Sequence, residues 1–464
     1  MAANRHDHHH LLFQLLPVFF LVIVLVLSIS NISSIRQFLI GALGEEANIQ
    51  ILTSQDLGEL EKPWKNLAQG GESKDWSIKP IRSTVAALSP QYIRIDHLYD
   101  FYDIVNKNGS QLSFDFSKLD RILQEIQSVS AIPYLSLSYT PPALAPNGDI
   151  TAPPNWNEWE LVVQKTIEHV SGTRGISNVY YEVWNEPDLF GNYKTYGDRN
   201  YLSMYRAAAT GAQKAKVSAP FKIGGPASTA LYKNWFDAIL QLSIDENLPL
   251  DFFSWHRYST DINQYRDDVS KVQEWLTKYP TRSTIELHLT EWGHDSNIDP
   301  GYDSNFGAIH TMAVSTELIG MVDKAFVFEI QDGVHPEGKI RWGRWGLLDS
   351  TGQPKPRYAA LSFLDRLQGR RIRLLGKGSW VKGAASRNGD TINTLLINYD
   401  SNASHFESVP VTFKEIAPGD YLIEQQFFGG SVTRKTISTT SAELRTVIPM
   451  PVNSAVFLRL IPQQ

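Results

Sequence analysis

Two periodicities alternate along most of this chain, and their alternation predicts its architecture. Short β-prone runs at 48–53, 92–97, 132–138, 179–184, 221–226, 251–258, 285–291 and 324–329 are each followed by a stretch with apolar residues every three to four positions. Leu119, Ile122, Leu123 and Ile126 mark the buried face of one such stretch, 115–129; others fall at 77–88, 156–170, 201–216, 235–244, 269–278, 306–319 and 357–367. Parallel strands need a crossover of this length, so eight strand-then-helix units predict an α/β fold, a (β/α)8 TIM barrel over 45–369. A doubly wound open sheet is the alternative, but no Gly-x-Gly-x-x-Gly follows any strand. Beyond residue 370 the pattern becomes short alternating runs, such as 391–399, 421–427 and 455–460, divided by Asn, Gly and Pro turns. That texture predicts a C-terminal all-β sandwich over 370–464, docked on the barrel because no linker separates them.

Ahead of the barrel, residues 11–29 are apolar except for Gln14, Pro17 and Ser28, about the ~20 residues that span a bilayer. A cleaved signal peptide would have a shorter apolar core and an Ala-x-Ala-like site, which 28–33 does not offer. The expectation is a tail at 1–10, a single-pass membrane helix at 11–35 and a catalytic part outside the cytoplasm. The cluster His6-Asp7-His8-His9-His10 sits on the tail and reads as incidental. Composition excludes other classes. With no cysteine, thiol nucleophiles, disulfides and zinc-thiolate sites are ruled out, and 43 basic against 49 acidic residues give no excess suited to nucleic acid. The 12 Trp and 19 Tyr suit stacking on sugar rings. Asn31, Asn108 and Asn402 each head an Asn-x-Ser acceptor pattern.

Candidate chemistry concentrates at two strand ends. The run 179–184 stops at Asn185-Glu186-Pro187, since proline cannot continue a ladder, and 285–291 ends in Thr290-Glu291-Trp292. In a parallel barrel the C-terminal ends of the strands carry the active site, so Glu186 and Glu291 face each other across its mouth. Two carboxyls so placed supply a proton donor and a nucleophile or base, the minimum for breaking a glycosidic bond. A barrel that only binds glycan is one rival. A phosphate- or metal-dependent hydrolase is another, but His97, His256 and His288 show no ligand spacing, so neither metal nor cofactor is expected.

Four pieces in this order carry a resemblance: Glu182-Val183-Trp184-Asn185-Glu186-Pro187, Phe253-Ser254-Trp255-His256-Arg257-Tyr258, Leu289-Thr290-Glu291-Trp292, and Gly346-Leu347-Leu348-Asp349 with Lys355-Pro356-Arg357-Tyr358-Ala359-Ala360. The chain resembles clan A glycoside hydrolases, and most of all family 39, which contains β-xylosidases, α-L-iduronidases and exopolysaccharide hydrolases. The resemblance implies a retaining glycosidase with Glu186 as acid/base and Glu291 as nucleophile. It further implies that Asn185 bonds the sugar 2-hydroxyl and that His256 and Tyr258 line the site. Arg94 would hold Glu291 ionised and oriented while counting with the substrate-binding residues, Trp292 offers a stacking face, and His97 and Glu329 would touch substrate. Two departures stand against a simple xylosidase: Arg94-Ile95-Asp96-His97 where xylosidases tend to have Arg-x-His, and Phe328-Glu329 where many clan members place tryptophan. The expected partner is a cell-surface or extracellular polysaccharide.

Overall fold

The structure, a computed structural model, describes residues 44–463 apart from Glu72. Its first strand, β1 (Ile49–Glu59), does not join the barrel. The barrel opens instead with β2 (Asn66–Gln69) and β3 (Tyr92–Ile95). After a side hairpin, β4 (Val105–Asn108) and β5 (Gln111–Phe114), come β6 (Ile132–Leu137), β7 (Val179–Val183), β8 (Phe221–Ser228), β9 (Phe252–Tyr258), β10 (Glu286–Gly293) and β11 (Lys324–Phe328). All eight barrel strands pair in parallel with their chain neighbours, and β11 closes the cylinder against β2. This is the (β/α)8 barrel expected, with its first strand reassigned. Rings of Tyr134, Tyr180, Phe252 and Phe326 fill the interior with Ala68, so the cylinder is a packed core rather than a pore.

The reassignment has a physical cause. All four residues of β2 are buried, yet two are polar, and Gln69 spends its amide on the far end of β11: its Nε2 donates to Glu329 Oε2 at 3.0 Å and its Oε1 accepts from the Gln331 N–H at 3.0 Å. A strand that short, with polar residues at both ends and Gln69 satisfied only by distant residues, carries no periodic signal. The more conspicuous β1 pairs antiparallel with β12 (Arg370–Leu375) and parallel with β15 (Glu407–Lys414). Residues 45–59 therefore pair with the C-terminal strands rather than with the barrel, and those strands begin with β12 at Arg370.

The module continues through β13 (Val381–Asn388), β14 (Thr391–Asn398), β16 (Gly419–Phe427), β17 (Val432–Thr439), β18 (Glu443–Met450) and β19 (Ser454–Pro462). Its strands form one sheet in the order β17-β16-β19-β14-β13-β12-β1-β15-β18. The sheet curls around a single core holding Ile51, Leu396, Val411, Phe413, Ile448 and Leu458, the all-β companion that the sequence predicts. The opposite faces of β13, β14 and β19 present Ala384, Leu395, Ile397, Ala455 and Phe457 to the barrel. Between them lies the helix Asn305–Leu318, buried from Gly307 to its end. A helix squeezed between two layers needs apolar residues all round, which its Gly-Ala-Ile-His-Thr-Met-Ala-Val sequence supplies. Its one carboxylate, Glu317, is paired with Lys377 at 2.7 Å.

The apolar run at 11–29 lies outside the described residues. Among those described, no helix is long and apolar enough to cross a membrane.

Candidate active site

The C-terminal rim of the barrel is held in unusual backbone. His97, Trp184, Glu186 and Ala227 follow or end β3, β7 and β8, and all have φ between 45 and 74°. A left-handed residue with a side chain costs roughly 1–2 kcal/mol. Hydrogen bonds at the strand ends offset it: the Glu186 N–H donates to Ala227 C=O on β8 at 2.9 Å, and the Trp184 indole N–H donates to Phe190 C=O in the loop after β7 at 3.0 Å. These turns aim Glu186 inward from β7, opposite Glu291 on β10.

Beneath the pair, Arg94 is wholly buried and fully engaged. Its guanidinium donates to Glu182 at 2.7 Å, to Glu291 Oε1 at 2.9 Å and to Asn185 Oδ1 at 2.7 Å. Asn185 is thereby locked, its Nδ2 donating to Tyr139 Oη at 3.1 Å. Tyr258 Oη donates to Glu291 Oε2 at 3.1 Å, and His256 Nδ1 lies 2.8 Å from Glu186 Oε1 and 3.5 Å from Glu291 Oε2. One atom each of Glu186, His256 and Glu291 falls within 4.8 Å of the others. That spacing also suits a divalent cation, a grouping that the spacing of histidines along the chain does not reveal.

The charges are balanced by burial and neighbours. Burial pushes the Glu291 carboxyl above its ordinary range, while His256 and Arg94 pull it down. Burial pulls the His256 imidazole down, but the charge of Glu291 and the bond to Glu186 outweigh it and leave its pKa raised. Asp96 is raised by burial against the pull of His97 and Arg94.

Above the carboxyls opens a cavity of about 600 Å³. Of the residues expected at the site, Asn185, Glu186, Tyr258, Glu291 and His97 line it. Asp96, Tyr139, Leu189, Phe190, Phe328 and Trp345 line it too, and sequence reasoning missed them as site residues. Gly70 and Gly71 let the wall close: a β-carbon would stand 2.6 Å from the Phe328 ring and 2.1 Å from the His97 ring.

Four expectations need correction. Trp292 is completely buried away from the cavity, edge-on to Tyr265, because strand alternation turns it outward when its neighbour Glu291 turns in. Arg94 and His256 are fully buried and do not line the cavity; they act through the carboxyls they bind. Glu329 is also fully buried, with Oε2 on Gln69 and Oε1 without a partner among the described residues. The aromatic face comes instead from Trp345, on the loop after β11, 5.5 Å from Phe328 between ring centroids. That loop is fastened from below by Lys355, whose Nζ meets Asp332 at 2.8 Å and the Arg344 C=O at 2.7 Å, and by Arg357, which donates to the Phe328 and Trp345 carbonyls.

Residues 47–375 match the family model described as Glycosyl hydrolases family 39. The chain belongs to this family. It is a glycoside hydrolase. A relative named beta-xylosidase, from Caldicellulosiruptor saccharolyticus, is 26% identical over 79% of this chain and 82% of its own length. A second beta-xylosidase, from Geobacillus stearothermophilus, is 25% identical over 55% of this chain and 56% of its own. Among solved structures, the GH39 enzyme of Xanthomonas axonopodis pv. citri superimposes with a TM-score of 0.74 at 18% identity, covering 90% of this chain and 98% of that one. A bacterial orthologue of human α-L-iduronidase superimposes with a TM-score of 0.67 at 14% identity, over 90% of this chain and 84% of that one.

This family 39 site makes the folded enzyme sensitive to pH in a definite direction. Asp96, His97, His256, Glu291 and Glu329 all have raised pKa values, Glu329 furthest, through burial and the nearby Asp332 and Glu291. The folded state binds these protons more tightly than the unfolded chain. Their stabilisation is complete below the unfolded values, about 4 for the carboxyls and about 6.5 for the histidines, and is lost as pH rises through the folded ones. Glu286 opposes this, held low against burial by His288 and Lys222, and contributes above about pH 4.3. Glu329→Gln removes the most strained carboxyl. Its melting temperature is expected to exceed wild type by on the order of 1–3 °C at pH 8, with the gap closing towards pH 5. Melts at the two pH values check this; an equal or reversed gap refutes it.

Proposed function

We propose that this enzyme hydrolyses O-glycosidic bonds with retention of configuration, Glu186 serving as acid/base and Glu291 as nucleophile. The observation that carries the reading is the approach of the two carboxyls to within 4.8 Å between their nearest oxygens, across one rim. Retaining pairs stand about 5–5.5 Å apart, whereas inverting pairs need about 6.5–9.5 Å to admit a water. In the first step Glu186 protonates the glycosidic oxygen while Glu291 attacks the anomeric carbon, so the aglycone leaves as an alcohol and the sugar is esterified to Glu291. In the second, Glu186 takes a proton from water, whose oxygen attacks the anomeric carbon and frees Glu291. Arg94 and Tyr258 keep the Glu291 oxygens oriented throughout, and the contact with His256 gives the Glu186 proton a second place to reside. Asn185 meets the 2-hydroxyl, where hydrogen bonding strengthens as charge develops.

The beta-xylosidase relatives make an aryl β-xyloside the first substrate to test. Proton NMR of the first sugar released is expected to show the anomer of the substrate; release of the opposite anomer would overturn the assignment.

The apolar run at 11–29 supports an uncleaved membrane anchor, with the barrel outside the cytoplasm and a surface or extracellular polysaccharide as natural substrate. Protease added to intact cells should then digest the barrel, and complete protection sinks this placement.

A further inference from the structure

Most carboxyls around the cavity have partners. Glu291 is held by Arg94 and Tyr258, Glu186 meets His256, and Glu182 takes the other side of Arg94. Asp96 differs. It lines the cavity and is only 7% exposed, yet no described residue donates a hydrogen bond to its carboxyl. A buried carboxyl left unpaired is costly, and in a binding cavity the missing donor belongs to the ligand.

The cations nearby do not fill that role. His97 gives its Nδ1 to Asp100 at 2.7 Å, and Arg257 binds Asp268 through Nε at 2.7 Å and Nη2 at 2.6 Å. These are the basic residues among the described lining; Arg257 is committed, while His97 keeps its Nε2 without a hydrogen bond to any described residue. A sugar carboxylate entering here would meet three acids, Asp96, Glu186 and Glu291, against the single ring nitrogen that His97 has to spare, and an excess of like charge rejects a ligand. Asp96 also stands where the xylosidase pattern Arg-x-His would place a histidine, so the acceptor is a property of this chain.

We propose that Asp96 reads the sugar held between Glu186 and Glu291, accepting hydrogen bonds from its hydroxyl or ammonium groups, and so selects neutral or amino sugars over uronic acids. The inference rests on the glycosidase reading and adds a substrate class to it.

The test uses the full-length protein with matched aryl β-xyloside, β-glucoside, β-glucosaminide and β-glucuronide, and α-L-iduronide. Wild type is expected to favour at least one neutral or amino glycoside over both uronides by about 100-fold or more in kcat/KM. Asp96→Asn loses one strong acceptor and should lower kcat/KM on the preferred substrate by roughly 10- to 100-fold, leaving uronides no worse, so that the ratio narrows. A uronide turned over as well as the best neutral or amino glycoside overturns the proposal, as does an unchanged ratio in the variant. If no glycoside is cleaved, the glycosidase reading fails separately, and binding still decides Asp96. Thermal shifts with free glucose, glucosamine and glucuronic acid should then favour the first two, and equal stabilisation by glucuronic acid counts against the role.

Discussion

Replacement of Glu291 by Gln is expected to cut kcat by about 10⁴-fold or more on every glycoside, whatever its leaving group. The amide keeps the shape, its oxygen can still accept from Arg94 and its NH2 can donate to Tyr258 Oη, so the fold should survive with little change in melting temperature. What it removes is the oxygen that bonds to the anomeric carbon, and both chemical steps pass through that bond. Glu186→Gln should behave differently. An aryl leaving group acidic enough to depart unprotonated needs no acid, so the first step persists on activated substrates while the second, which needs a base, stalls. The variant should therefore release a burst of phenol and then slow, and should lose about 10²- to 10⁴-fold on unactivated substrates. Pre-steady-state release of the aryl group separates the two roles. A burst from Glu291→Gln, with none from Glu186→Gln, would exchange the assignments; activity undiminished in both would remove them.

A chain lacking residues 370–464 is expected to yield no soluble, cooperatively melting barrel. The deletion takes away both neighbours of β1 and uncovers the apolar strip of the Asn305–Leu318 helix that β13, β14 and β19 cover. Large exposed apolar patches of this kind drive association. Removing 44–59 as well spares the orphaned strand but leaves the helix bare, so the shorter barrel should fare no better. Gel filtration and thermal melting against the full-length protein decide the matter. A monomeric 60–369 fragment with full kcat/KM would show that the module is dispensable.

Local pattern carried much of this molecule and stopped at identifiable places. The ends of β7 and β10 were readable because a β-prone run meets Asn185-Glu186-Pro187 in one and Thr290-Glu291-Trp292-Gly293 in the other. Even the outward turn of Trp292 was implicit in its place beside an inward glutamate. By contrast, β1 and β2 exchanged roles because a strand's pattern says that it is half-buried, not which sheet receives it. The partners of β1 lie some hundreds of residues away, and β2 is four residues tied by Gln69 to the far end of the cylinder. Asp96, Tyr139 and Trp345 meet at the cavity from β3, β6 and the loop after β11. Nothing near any of them in sequence announces the others. The Lys355-Pro356-Arg357 piece was visible as part of a resemblance, and its purpose, clamping the loop that carries Trp345, emerged only from its hydrogen bonds.

Placing β1 between β12 and β15 also sets a timetable for synthesis. The ribosome finishes β1 roughly 300 residues before it begins β12, and at ~5–20 residues per second the strand waits about 15–60 s for a neighbour. During that interval Ile49 and Ile51 have no lasting home, and a nascent chain with an idle edge is prey to mispairing. Export machinery or a holding chaperone that shields the emerging amino-terminal segment would therefore govern how much enzyme matures.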